Sequence, residues 1–180
     1  VPHHRTYYTT HNNVGKNIRM ADDLQKGYDP EFLEGFDVPM PELSESLANH
    51  VYVGQDTGSA EIKHVHYSLI MNKDNRAPVV TALNISQNDL KTVKRSDAWK
   101  FDPQVPTHLQ LGNEYYQDIQ VPGQDHKEEN PYDKGHMAMK MAAGWGEHAQ
   151  TAADETFYYT NSVLQHKNLN RDEWLKIETW

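Results

Sequence analysis

The chain has 180 residues, no cysteine and a formal net charge of −9 at neutral pH. That length fits one domain, or one domain with an arm, and the missing cysteines exclude a disulfide scaffold and any thiolate zinc site. With a mean hydropathy of −0.87 and no apolar run near the roughly 18 residues of a membrane helix, no membrane association is expected. The chain still carries 4 Trp, 10 Tyr and 4 Phe, more aromatic surface than a disordered chain would hold. Acidic side chains outnumber basic ones in residues 1–60 and 101–180, and only residues 61–100 lean basic. A basic face, where one exists, is therefore local.

Residues 1–50 read as an irregular arm that wraps a core, because Pro2, Pro30, Pro39 and Pro41 punctuate them and the residue before a proline is pushed into extended or turn backbone. Residues 51–180 are then the domain proper. Val65 to Met71 is rich in strand formers, Asn72 to Arg76 is a turn cluster and Pro78 to Asn84 is a second strand, which together predict a hairpin with a longer loop. Pro103, Pro106, Gly112, Pro122, Gly123 and Pro131 make residues 102–131 mostly loop. Residues 156–161 read as a short strand. Residues 170–180 carry a helix signature, with Asn170 as N-cap and Glu173 at capping-box spacing. On that helix Trp174 and Ile177 share one face as expected core contacts.

Chemistry-bearing residues concentrate in the last third. They are Asp133-Lys134-Gly135-His136, the aromatic strand ending in Asn161, the pair Leu169-Asn170, and Glu178. Phosphodiester hydrolysis needs a base for water, and a histidine near its ordinary pKa suits that work. It also needs a divalent cation to neutralise charge on the phosphate. A hard cation takes oxygen ligands and keeps several waters when the protein offers few, and an Asn carboxamide with a Glu nearby fits that description. Glu178 lies about 12 Å along a helix from Asn170, so it would orient a metal-bound water or a neighbour and not share the first ligand.

These spaced elements resemble the DNA/RNA non-specific endonucleases, the sugar-non-specific ββα-metal (His-Me finger) nucleases. The family's Asp-Arg-Gly-His reads here Asp133-Lys134-Gly135-His136. The aromatic strand reads Thr156-Phe157-Tyr158-Tyr159-Thr160-Asn161, and Gln165, Leu169-Asn170, Trp174 and Glu178 follow at the family's offsets. Upstream, Gly27 to Leu33, Val38 to Pro41, Arg95 with Trp99, and Gly112 to Tyr116 are also similar to bacterial members. The resemblance implies an α+β fold, a ββα-metal core on a mixed, mainly antiparallel sheet. It implies His136 as general base, Asn170 as the direct protein ligand of Mg²⁺ (or Mn²⁺), and Glu178 orienting metal-bound water. Asn161 would support the histidine, and Arg95 and Lys134 would contact the phosphate. Substrates would be DNA and RNA, cut with little sequence preference to leave 5′-phosphate ends, by a secreted or periplasmic protein that is a homodimer in many relatives.

Lys134 departs from the family's Arg and loses the bidentate fork. The chain ends at Trp180 without a helix stop signal, so the expectation is that more chain, or a second fragment, supplies C-terminal strands. The alternative function is a catalytically inactive or incomplete relative that binds nucleic acid or a protein partner. A third reading pairs His64 and His66 on one strand face as zinc ligands, although two ligands do not make a site. Asn170 serves either as helix cap or as ligand, since the two roles compete for one oxygen.

Overall fold

The computed structural model describes residues 24–94, 96 and 98–178. Arg95 therefore lies outside the described residues, as does the first part of the expected arm. The rest of that arm is mostly irregular, with one short helix, α1 (Glu45–Ala48), capped by the Ser44 hydroxyl.

The centre is a three-stranded antiparallel sheet, β1 (Glu61–Lys63), β2 (Tyr67–Asn72) and β3 (Ala77–Leu83), in that spatial order. The expected hairpin is β2 and β3. Tyr67 through Met71 are all buried, as an almost continuous apolar run predicts for a strand covered on both faces. Tyr67, Leu69 and Met71 join Ile62, Val105 and Ala138 in one core cluster. Burying a side chain of the size of Leu69 contributes about 1.5–3 kcal/mol. Pro78 is tolerated because β3 is an edge strand and the pairing slips between Ile70 and Met71, next to it.

The expected single strand across His64 and His66 is instead a tight turn. His64 N–H donates to the Tyr67 carbonyl at 2.9 Å, and His66 takes a left-handed φ of 72° between β1 and β2. The two histidines consequently part. His64 is fully buried, with Nε2 3.2 Å from Asp102 Oδ2 and Nδ1 3.7 Å from Glu155 Oε2. His66 stacks on Trp145 with ring centroids 3.6 Å apart. The zinc pair is thereby overturned: two rings committed to different neighbours share no ion, and no cluster of three metal-binding side chains occurs among the described residues.

A small hairpin, β4 (Ile119–Gln120) and β5 (Lys127–Glu128), breaks the long loop. Then comes β6 (Tyr132–His136), followed by helices α2 (Lys140–Ala143) and α3 (Ala149–Glu155) and by β7 (Ser162–His166), which pairs antiparallel with β6. The strand expected over residues 156–161 is displaced. Those residues are turn and a 3-10 turn, Tyr159–Asn161, and β7 begins where the strand was expected to end. Residues 157–159 hold Lys100 through two backbone hydrogen bonds, which brings the 99–102 segment against them.

The final helical stretch also differs. It is wound as a π-helix over Leu169–Trp174 and as an α-helix, α4, over Leu175–Glu178. Asn170 sits inside that stretch and caps nothing, because helical backbone already begins before Leu169. Trp174 is half-buried, but Ile177 is 66% exposed, so the expected shared core face holds only for the tryptophan. The order β6, β7, helix is a ββα unit, and β3 packs against both β7 and the 159–161 turn.

Candidate active site

His136 is the last residue of β6, paired with Ser162. Its ring lies 4.6 Å from that of Trp99 and 4.9 Å, edge-on, from that of Phe157. Nε2 is buried and has no hydrogen-bond partner. Burial foremost, and then the positive charge of Lys140, lower the imidazole pKa to about 4. At neutral pH the ring is uncharged and offers a free lone pair, the form a general base requires.

Gly135 lets the hairpin close. A Cβ on it would stand 2.1 Å from Gln165 Oε1 on the paired strand, a space only glycine leaves free. Asn161 is fully buried and fixes the chain just after His136. Its Oδ1 accepts from Ala138 N–H at 2.8 Å, and its Nδ2 donates to the Ala138 and Thr156 carbonyls at 2.9 Å. Its own carbonyl accepts from Met137 N–H. Asn161 therefore supports the backbone beyond the histidine and does not bond to the ring.

On the neighbouring helix, Asn170 Nδ2 donates to Asp133 Oδ2 at 3.1 Å. The Arg171 guanidinium grips the same carboxylate with both Nε and Nη2 at 2.8 Å. These bonds, Arg171 first, hold the Asp133 carboxyl below its ordinary range against a smaller opposing effect of burial. The amide end of Asn170 is thus anchored, while its Oδ1 meets no donor among the described residues. The helix is wound as a π-helix at this point, a winding that is rare and recurs at functional sites. Sequence reasoning left Asp133 without a role of its own. The signal was its place two residues before Gly135 in the same motif.

Glu178, at the end of the helix, titrates above its ordinary range because it is partly buried. The Trp174 indole, on the same helical stretch, opposes part of that rise. The donor chemistry fits a hard divalent cation: one unbonded carboxamide oxygen, with a carboxylate further along the same helix. Where the protein offers so few oxygens, such an ion keeps most of its waters, as Mg²⁺ does.

Lys134 lies two residues before His136 on β6, on the same face of the strand. Its ammonium lies 5.0 Å from the centre of the Tyr116 ring, and burial lowers its pKa. Tyr116 is in turn tied to Ser162 through their hydroxyls at 3.2 Å. The structure thus brings Asp133 together with Asn170, and Asn161 with the backbone after His136. It makes no hydrogen bond between His136 and Asn170 or Glu178.

A two-stranded hairpin closed by a helix, with a histidine on the first strand and an asparagine on the helix, defines a ββα-metal nuclease fold. The chain matches the DNA/RNA non-specific endonuclease family over residues 46–180, and it belongs to that family. It is 31% identical over 167 residues to the uncharacterized protein y4fB of Sinorhizobium fredii (strain NBRC 101917 / NGR234), an alignment covering 88% of this chain and 24% of that protein. The chain thus spans about a quarter of the length of that relative. Among solved structures it is similar in fold to a chain of the EndoG/EndoGI complex, with a TM-score of 0.54 and 23% identity, over 78% of this chain and 53% of the other.

Proposed function

We propose that this protein is a metal-dependent endonuclease that hydrolyses phosphodiester bonds of DNA and RNA with little sequence preference. The observation that carries the reading is His136: a neutral imidazole with a buried, unpartnered Nε2 on the strand that also anchors Asn170. In this reading the half-buried imidazole takes a proton from water as the water oxygen attacks phosphorus in line. The P–O3′ bond breaks, leaving a 3′-hydroxyl and a 5′-phosphate. The attack uses no 2′-hydroxyl, so deoxyribose and ribose serve alike. Asn170 Oδ1 would be the direct protein ligand of Mg²⁺, with Asp133 holding the amide so that this oxygen stays free, and Glu178 would orient a water on the ion. The cation, when bound, supplies charge neutralisation on the phosphate and the departing oxygen. A phosphate anion beside His136 would favour the imidazolium, so the proton is held better once substrate is in place.

The test is nicking of supercoiled plasmid with Mg²⁺, set against EDTA and against His136→Ala, with the product ends probed for 5′-phosphate. Nicking lost in both controls supports the reading. Folded protein that never nicks overturns it, and leaves a family member that binds nucleic acid or a protein partner without turnover.

A further inference from the structure

The motif of this chain holds a lysine two residues before His136, and a second lysine lies four residues after it. The Lys134 ammonium rests on the Tyr116 ring, which is tied to Ser162 and is not one of the rings packed on His136. Lys140 is placed differently. The clamp of Asn161 on Ala138 turns the chain straight after His136, and Lys140 opens α2 just beyond that turn. Its ammonium stands 6.0 Å from the centre of the Phe157 ring, the same ring whose edge packs on His136 at 4.9 Å. No carboxylate pairs with Lys140 among the described residues. From this geometry we infer that Lys140, and not Lys134, is the cation that contacts the phosphate presented to His136.

The inference rests on the nuclease reading and adds a binding residue to it. A phosphodiester is the anion the reading supplies, and an ammonium–phosphate hydrogen bond is charge-assisted and so among the stronger kind. Among the described residues, Lys140 adds its charge to burial, the larger cause, in lowering the His136 pKa. It would hold the imidazole neutral before substrate arrives and turn its charge onto the phosphate afterwards.

Binding of a short labelled DNA duplex, in EDTA so that nothing is cut, tests the assignment across about 50–200 mM salt. Lys140→Met keeps the aliphatic stem on Phe157 and removes the charge. It is expected to weaken binding about fivefold to tenfold at low salt and to flatten the log–log salt slope by about 0.9. Lys140→Arg should keep both, and Lys134→Met should change the slope far less. A wild-type slope in Lys140→Met, or the loss appearing in Lys134→Met instead, overturns the assignment while the nuclease reading stands. Wild-type protein that binds no DNA brings down the nuclease reading and the phosphate contact together. A second readout needs neither DNA nor turnover: NMR titration of the His136 ring should give a higher pKa in Lys140→Met. An unchanged value would remove Lys140 from the site.

Discussion

Two histidines in this fold, His64 fully buried and His136 half-buried, have different charged surroundings. His64 lies in the turn between β1 and β2 with a carboxylate at ion-pair distance from each ring nitrogen. Those carboxylates are themselves satisfied. Asp102 accepts from Thr160 and from the Gln104 N–H, and Glu155 from Gln25 and from the Val65 N–H. Burial raises the Asp102 pKa, but His64 and these donors outweigh it, and the net shift is downward. His136 differs in its charged neighbours: its ring packs on Trp99 and Phe157, no carboxylate stands at ion-pair distance from it among the described residues, and a lysine is the charge that acts on it. A histidine seated between hydrogen-bonded carboxylates ties elements together, whereas one with no carboxylate beside it is the setting in which functional groups are sought.

Alanine at each position should break this comparison most sharply. His136→Ala is expected to lower the nicking rate by about 10²–10⁴-fold with little loss of stability at neutral pH. His64→Ala should do the converse. It leaves Asp102 and Glu155 buried beside a void, and breaking such a group costs about 3–5 kcal/mol, measured by urea unfolding. Equal losses of stability in the two variants would show that His136 is structural.

The next effect is in pH. The His136 pKa is about 4 in the fold, against 6.5 for an ordinary histidine. Between those values the unfolded chain binds a proton that the folded chain does not, so stability falls as pH drops from above 6.5 through about 4. The full loss is about 3 kcal/mol, and below about pH 4 it changes no further. Wild-type unfolding midpoints should decline relative to those of His136→Ala across that window. Parallel curves would place the imidazole in water, contrary to its burial.

How much of this was legible depended on sequence distance. The hairpin of β2 and β3 could be read because apolar runs and turn residues are local signals. The placing of His136, Asn161 and Asn170 in one ββα unit was legible through the resemblance, because short motifs at fixed offsets carry it. The carboxylates around His64 were not, since Asp102 and Glu155 approach it only through the tertiary fold. The π-helical winding at Asn170 has no composition cue, and the capping-box spacing of Asn170 and Glu173 pointed to the wrong helix start. The shift of β7 to Ser162–His166 follows from the same cause. Residues 156–161 have strand-forming side chains, but Thr156 and Asn161 spend hydrogen bonds on local carbonyls and Thr160 on the Asp102 carboxylate.

The smallest effect falls on Asp133, which belongs to neither histidine and separates orientation from charge. Its carboxylate holds Asn170 Nδ2 and is held in turn by Arg171. If its work is to keep Asn170 Oδ1 turned outward, Asp133→Ala should weaken binding of Mn²⁺, read by the paramagnetic signal of the free ion, about 10–100-fold. The ring of His136 should keep its titration, because Asp133 does not contribute to it. Asp133→Asn retains an oxygen to accept from the amide but forfeits the ion pair with Arg171, so it should fall between wild type and alanine. A metal affinity untouched by either change would mean that the helix alone fixes Asn170. The bidentate pair would then be a surface contact of the ordinary weak kind.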